Sequence, residues 1–225
     1  PVEGTKFADN NLPGAISVIA IAERGNLFNA PETYMNKIAT GKVEDNLIDL
    51  DYPLKKNLSN LADFKNKDLT DITACILDRP RHKKIITSLN KMSVKLKLIS
   101  DGDISGVIYA VDKNSSFDMY IVIGGGPEGV LAAAALSCYG GQIQTRLILN
   151  SAEIIRAKKM GITNINKKYN LDEMVRGDVM FCATAITDAD LADGIKSKKD
   201  YFEATTIALH KDGKINKLIK NRHYK

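Results

Sequence analysis

Three polar clusters in the sequence follow apolar runs that have the length of β-strands, and each cluster precedes a helical pattern. They are residues 78–82 (Asp-Arg-Pro-Arg-His), residues 100–103 (Ser-Asp-Gly-Asp) and residues 124–129 (Gly-Gly-Gly-Pro-Glu-Gly). Ligands of α/β sheets bind beyond the carboxyl ends of the strands, which is where these loops are predicted to lie. The three clusters are therefore candidate parts of a functional site.

Arg79 and Arg81 flank Pro80, which stiffens their loop at the predicted start of a helix. Two guanidinium groups in this position suit a phosphate, through bidentate hydrogen bonds and the positive end of the helix. Pairing with nearby acids, or exposure to solvent, would explain the same residues without a ligand.

Asp101 and Asp103 bracket Gly102 in the second cluster. The two carboxylates could bind a divalent cation or accept hydrogen bonds from sugar hydroxyls. Asp103 also suits the N-cap of the helix that follows, and a cap is compatible with either role. The residues alone leave these alternatives open.

The glycine run 124–129 is the strongest local signal, because successive glycines let the backbone approach a ligand closely with its N–H groups outward. Gly124, Gly126 and Gly129 match the spacing of the dinucleotide-binding fingerprint, but Glu128 lies inside it. A carboxylate at that point repels a pyrophosphate unless a cation intervenes, so Glu128 favours a metal ion over NAD. The alternative is a tight turn in which Glu128 interacts with the helix dipole.

A fourth group stands at the start of the sequence, where Glu3, Gly4 and Thr5 are adjacent. A carboxylate for a divalent ion, a glycine for close approach and a hydroxyl that orients a water molecule fit metal-assisted phosphoryl transfer. A frayed terminus is the alternative interpretation.

The predicted elements alternate between strand and helix from about residue 70 to residue 190, which indicates an α/β layer with a substantially parallel sheet. Strands are predicted at 16–22, 74–77, 94–99, 119–123 and 179–183, and helices at 31–38, 54–64, 80–91, 104–111 and 127–139. Asp212-Gly213 is a turn signal and predicts a β-hairpin formed by 203–209 and 215–220.

Composition excludes several classes of protein. The chain has 225 residues, 44% hydrophobic and 26% charged, which is typical of a folded domain, and its apolar runs are shorter than the ~18 residues of a membrane span. Because the apolar runs are this short, no membrane partner is expected. The net charge of +5 comes from residues 211–225, which indicate a solvated edge, with polyanion binding as the alternative, and no nucleic-acid partner is expected. Cys75, Cys138 and Cys182 are predicted to be free thiols in a reducing compartment, and a cytoplasmic location is expected.

Taken together, the clusters resemble the class II fructose-1,6-bisphosphatases, which belong to the lithium-sensitive, metal-dependent sugar-phosphatase superfamily. The motifs that carry the resemblance lie at 1–5, 15–20, 27–31, 34–38, 77–82, 98–103, 124–135, 140–144 and 184–188. The resemblance implies a mixed α/β fold of helix, sheet, helix, sheet and helix layers. It further implies that residues 1–70 are the C-terminal portion of a metal-binding α+β subdomain and that 71–225 form an α/β substrate-binding subdomain ending in the hairpin.

The implied activity is hydrolysis of the 1-phosphate of fructose 1,6-bisphosphate to fructose 6-phosphate in gluconeogenesis, using Mg²⁺ or Mn²⁺, with sedoheptulose 1,7-bisphosphate as a possible second substrate. By this resemblance Glu3 and Glu128 would be metal ligands, and Glu3 and Thr5 would be the catalytic residues, Thr5 orienting the attacking water. The implied substrate-binding residues are Glu3, Gly4 and Thr5 at the scissile phosphate, Tyr34, Arg79, Pro80 and Arg81 at the distal phosphate, Asp101, Gly102 and Asp103 at the sugar, and Gly125 through its backbone.

The sequence departs from the family pattern at its start, because the family motif has an Asp before the proline and further acidic ligands upstream. The expectation is therefore a chain without the N-terminal third of such an enzyme. The missing segment would be needed to complete the metal site, and the isolated chain would have little or no phosphatase activity. A homo-oligomer is also expected. The alternatives are another sugar or inositol phosphatase, or a non-catalytic sugar-phosphate-binding fragment.

Overall fold

Two β-sheets of six strands each form the framework of the computed structural model, which describes residues 2–111, 117–189 and 191–225. The described strands are β1 Val2–Glu3, β2 Ile16–Ala22, β3 Tyr34–Thr40, β4 Thr73–Leu77, β5 Lys95–Ile99, β6 Met119–Gly125, β7 Gln142–Ile148, β8 Lys168–Asn170, β9 Val179–Ala185, β10 Lys196–Ser197, β11 Tyr201–His210 and β12 Asn216–Tyr224. The described α-helices are α1 Thr5–Asp9, α2 Leu54–Lys65, α3 Lys83–Lys91, α4 Asp103–Tyr109, α5 Gly126–Tyr139, α6 Ser151–Lys159 and α7 Leu171–Met174.

The first sheet has the strand order β5-β4-β6-β3-β7-β8, and only its β5-β4-β6 part is parallel. The second sheet has the order β1-β2-β9-β11-β10, with β12 also paired to β11, and all its described ladders are antiparallel. The predicted substantially parallel sheet is therefore correct for three strands and wrong for the rest. The predicted mixed α/β class is confirmed, and the β11–β12 hairpin forms around Asp212 and Gly213.

Helices α4 and α5 lie between the two sheets, and α2 and α3 cover the other face of the first sheet. α5 can occupy this central layer because Ala132–Ala135 have no exposed surface and are small enough for a helix that packs on both sides. Gly140 ends α5 in the left-handed conformation, at φ 85°. None of the described helices is long and apolar enough to cross a membrane.

The segment predicted as a helix at 31–38 is instead strand β3, so this prediction is wrong. β3 pairs with β6 on one side and β7 on the other, and seven residue pairs on each side outweigh the weak helical preference of the segment. Four of the described strands, β1, β7, β8 and β10, and three of the described helices, α1, α6 and α7, were not predicted. The other predicted strands and helices form within a few residues of their expected bounds.

The order β5-β4-β6 creates a crevice at the carboxyl ends of β4 and β6. The chain leaves β4 through α3 on one face of the sheet to reach β5, and it returns from β5 through α4 on the opposite face to reach β6. Such a reversal of direction opens the sheet at its strand ends, and ligands of α/β proteins bind there. The three predicted clusters follow β4, β5 and β6.

The predicted division into residues 1–70 and 71–225 stays a prediction. Strands from the first of these segments take part in both sheets, since β2 pairs with β9 and β3 pairs with β6 and β7.

Candidate active site

A cavity of about 260 Å³ lies at the crevice, and most of the predicted site residues line it. These lining residues are Glu3, Gly4, Thr5, Arg79, Arg81, Asp101, Asp103, Gly125 and Glu128. Tyr34, Pro80 and Gly102 were also predicted but are not among the lining residues. Tyr34 stands at the rim, with the Arg81 guanidinium 5.0 Å from its ring centroid, and Gly102 supports the second cluster as the N-cap residue of α4, at φ 95°.

Glu3 reaches across the cavity floor to the start of α4. One carboxylate oxygen accepts the Ile104 N–H at 2.6 Å, and the other accepts the Ser105 N–H at 3.2 Å. Burial, together with the negative charge of Asp103, raises the pKa of Glu3 to about 8, although the two N–H groups and the positive charge of Lys37 oppose the rise. Without a bound metal ion, this carboxyl is therefore largely protonated at neutral pH.

Gly4 holds Glu3 and Thr5 in place through a turn that other residues resist. Its φ is 71°, and a Cβ at this position would lie 2.8 Å from a Phe7 ring carbon and 3.2 Å from the Ala15 backbone. The short helix α1 begins directly after this turn, so exposed Thr5 stands at its first position and faces the cavity. Gly4 was predicted to let a ligand approach the backbone closely. In the structure it lets Phe7 and Ala15 approach instead.

Asp103 is buried and bound by two residues that sequence reasoning missed. The ammonium group of Lys37 pairs with one of its carboxylate oxygens, and the Tyr120 hydroxyl donates to the other at 2.7 Å. Lys37 and Tyr120 have no exposed surface. The sequence could have indicated Lys37, because a lysine that is buried in a strand requires a charged partner. The segment was predicted as a helix, however, and its burial was not foreseen.

The arginine loop, residues 79–81, is fixed to two neighbouring strands. Arg81 donates through Nε to the Ile123 carbonyl at 2.7 Å, which uses one of the five donors of its guanidinium group. Arg79 lies 3.6 Å from an Asp101 carboxylate oxygen, so the alternative of pairing with a nearby acid holds for this residue. His82, which belongs to the same predicted cluster but was given no role there, is buried.

The glycine loop, residues 124–129, is narrow because carboxylates pack against its backbone. A Cβ at Gly124 would lie 2.2 Å from an Asp103 carboxylate oxygen, and one at Gly125 would lie 2.0 Å from a Glu128 carboxylate oxygen. Glu128 is in the first turn of α5 and folds back over Gly125 toward the cavity. Glycine is therefore required at these two positions because a larger residue would clash with the Asp103 and Glu128 carboxylates.

The described residues contain no group of three or more His, Cys, Asp or Glu arranged to hold a metal ion. Glu3 and Glu128 nevertheless line one cavity, with Asp101 on its wall. Carboxylate oxygens are the ligands that Mg²⁺ prefers, and it commonly binds through one or two of them together with substrate phosphates and water. The two glutamates therefore fit such an ion, and their assignment as metal ligands stays a prediction.

Comparison with known proteins places the chain in a family. Residues 1–223 match the family model described as bacterial fructose-1,6-bisphosphatase, glpX-encoded. A Synechococcus protein named D-fructose 1,6-bisphosphatase class 2/sedoheptulose 1,7-bisphosphatase is 32% identical over 240 residues, covering 100% of the chain and 69% of that protein. Haemophilus influenzae fructose-1,6-bisphosphatase class 2 is 33% identical over 239 residues, covering 100% of the chain and 72% of that protein. The chain therefore belongs to the class 2 fructose-1,6-bisphosphatase family, whose members are phosphoric monoester hydrolases.

Proposed function

We propose that this protein hydrolyses the 1-phosphate of fructose 1,6-bisphosphate with the help of Mg²⁺ or Mn²⁺. The observation that carries the proposal is that two glutamates and two arginines line one cavity. A sugar bisphosphate has two anionic ends, and each end needs a counterpart. A place in gluconeogenesis, a cytoplasmic location and a homo-oligomeric state belong to the same proposal, as does activity on sedoheptulose 1,7-bisphosphate.

In this proposal the distal phosphate binds at the arginine loop. Arg81 retains free donors after its bond to Ile123, and Tyr34 orients it through contact with the guanidinium face. Asp101 and Asp103, which also line the cavity, accept hydrogen bonds from the sugar hydroxyls. Asp103 is already bound by Lys37 and Tyr120, but each carboxylate oxygen has two lone pairs and can accept a second bond.

The scissile phosphate lies at Glu3, Gly4, Thr5 and Glu128. Glu3 and Glu128 would hold the divalent ion, which when bound neutralises phosphate charge and lowers the pKa of a water molecule. Thr5, exposed at the first position of α1, orients the attacking water through its hydroxyl. The water oxygen bonds to phosphorus, the ester bond to the sugar C1 oxygen breaks, and a proton reaches that oxygen to release fructose 6-phosphate.

Phosphate release by the full product of the gene that encodes this chain tests the proposal. Rates should be highest on fructose 1,6-bisphosphate among three substrates, with sedoheptulose 1,7-bisphosphate next and inositol 1-phosphate slowest, and EDTA should abolish release. A preference for inositol 1-phosphate would favour the other phosphatase class. Tight binding of the sugar bisphosphate in EDTA without turnover, measured by calorimetry, would instead favour a non-catalytic binding protein.

The affinity for Mn²⁺ should rise with pH up to about pH 8 and then level off. Because Glu3 is protonated below its pKa of about 8, an ion that binds its carboxylate displaces a proton. We expect up to a tenfold gain in affinity per pH unit between pH 6 and 8. Calorimetry in two buffers with different ionisation enthalpies measures both the affinity for Mn²⁺ and the number of protons released on binding. An affinity that is constant over this range, with no proton released, would contradict the role of Glu3.

A further inference from the structure

The ladder between the parallel strands β4 and β6 is unusually short. Only two residue pairs form it, Ala74 with Met119 and Cys75 with Tyr120. By contrast, β4 pairs with β5 along its whole length, and the Asp78 N–H continues that pairing by donating to the Ile99 carbonyl at 2.8 Å. The gap between β4 and β6 therefore widens toward the cavity, and backbone pairing does not fix the spacing of the loops above it.

The imidazole of His82 bridges this gap. Its Nδ1 lies 2.7 Å from the Leu77 carbonyl oxygen at the end of β4, and its Nε2 accepts the Ile123 N–H of β6 at 2.7 Å. A carbonyl can only accept and an N–H can only donate, so Nδ1 carries the proton and Nε2 carries none. The ring has no exposed surface, so water cannot replace either bond.

We propose that His82 is a positioning residue that sets the distance between the arginine loop and the glycine loop, and so the affinity of the site for the distal phosphate. The inference rests on the proposed function for the identity of the ligand. His82 directly follows Arg81, and its partner Ile123 directly precedes Gly124. One ring therefore connects the two loops, and residues of both line the cavity.

A second bond shows that both loops depend on the same point of β6. Ile123 receives the His82 ring at its N–H, and its carbonyl accepts from Arg81 Nε. If the ring loses its bond, Ile123 and the Arg81 guanidinium can separate together from the end of β4. The expected consequence is weaker binding of the phosphate rather than a slower chemical step, because the arginine loop carries none of the groups assigned to the scissile phosphate. Glu3 and Thr5 lie outside both loops, and Glu128 is held by the first turn of α5.

Protonation of His82 would have the same effect as its removal, since a protonated Nε2 faces the Ile123 N–H with a donor. Burial lowers the pKa of His82, and the positive charge of Arg81 lowers it further, whereas the bond to the Leu77 carbonyl and the charge of Asp103 oppose this shift. The Ile123 N–H also favours the neutral ring, because it needs the unprotonated Nε2 as its acceptor. The neutral form is therefore maintained at neutral pH, and the bridge opens only in acid.

Steady-state kinetics of three variants test this role in the full gene product. H82N retains a donor close to the Nδ1 position but is too short to reach Ile123, and it should raise the KM for fructose 1,6-bisphosphate about 10- to 100-fold with kcat changed less than threefold. H82Q can place an amide oxygen near Nε2 and does not titrate. It should recover part of the loss and, at saturating Mn²⁺, show a smaller rise in KM in acid than the wild type. H223Q, at an exposed histidine of β12, is the control.

Two further results decide the inference. A folded H82N protein with a KM within twofold of the wild type, or an identical acid-side rise in KM for H82Q and wild type, would overturn it. Amide hydrogen exchange gives a readout without substrate: Ile123 should exchange faster in H82N and H82Q than in H223Q. If the wild type turns over no sugar bisphosphate, the proposed function fails. Faster exchange of the Ile123 amide in H82N than in H223Q would then still support the connection that His82 makes between β4 and β6, and equal exchange would overturn it.

Discussion

Replacing Glu3 by glutamine should lower Mn²⁺-dependent phosphate release on the order of 10²–10³-fold. Loss of a metal ligand removes several kcal/mol of transition-state charge stabilisation, which corresponds to this factor. Glutamine has the shape of the protonated carboxyl, and its amide oxygen can still accept the Ile104 N–H that Glu3 accepts at 2.6 Å. The fold should therefore survive while the ion is lost, and a coupled assay of phosphate release against Mn²⁺ concentration measures the effect.

The stability of the same variant provides an independent check. Burial raises the pKa of Glu3 from 4.5 to about 8, so the protonated carboxyl contributes stability that is fully present below pH 4.5 and is lost as the pH rises through 8. E3Q cannot ionise and should keep that contribution. In EDTA at pH 8.5, urea unfolding should therefore show E3Q to be at least as stable as the wild type.

The matched control is E44Q, because Glu44 is exposed and follows the end of β3 that lies away from the cavity. It should leave both phosphate release and the pH dependence of stability unchanged. Full Mn²⁺-dependent activity in E3Q, or an equal loss in E44Q, would contradict the assignment of Glu3 as a metal ligand.

Replacing Lys37 by methionine should destabilise the protein by about 3–5 kcal/mol, because it leaves the buried carboxylate of Asp103 without its counter-ion. Asp103 is 7% exposed, so solvent can replace the ammonium group only in small part. Methionine fills a similar volume, and the loss is therefore one of charge rather than of packing. Urea unfolding monitored by circular dichroism measures it, with K42M at an exposed lysine as the control.

A double-mutant cycle separates this charge effect from a general loss of packing. Adding D103N to K37M removes the orphaned charge, and the asparagine oxygen can still accept from the Tyr120 hydroxyl. The double variant should be more stable than K37M alone, with a coupling free energy of about 1–3 kcal/mol. Strictly additive losses would show that Lys37 and Asp103 do not act as a pair.

The loops of the site could be predicted from the sequence because each is marked by local signals. An apolar run ends, a proline, glycine or aspartate follows, and a helix begins, as at Leu77, Ile99 and Ile123. Such signals depend on residues close together in the chain. They also located Glu128, whose charge inside a glycine loop is unusual.

The supporting residues could not be predicted in the same way, since their partners are distant in the chain. Glu3 binds the N–H of Ile104, 101 residues away, and Lys37 pairs with Asp103, 66 residues away. The segment 31–38 has a local preference for helix, but pairing with β6 and β7 makes it a strand. The local sequence therefore indicated the wrong environment for Lys37. Only the assembled sheet shows that His82 fills the gap between β4 and β6.

The most direct test of the account is a crystal structure of the full gene product with Mn²⁺ and fructose 1,6-bisphosphate, with data collected at the manganese absorption edge. The account predicts an anomalous peak bound directly by the carboxylates of Glu3 and Glu128, with one phosphate of the sugar against that ion and the other against the arginine loop. Manganese bound without Glu3 and Glu128, or a sugar bisphosphate bound outside this cavity, would contradict it.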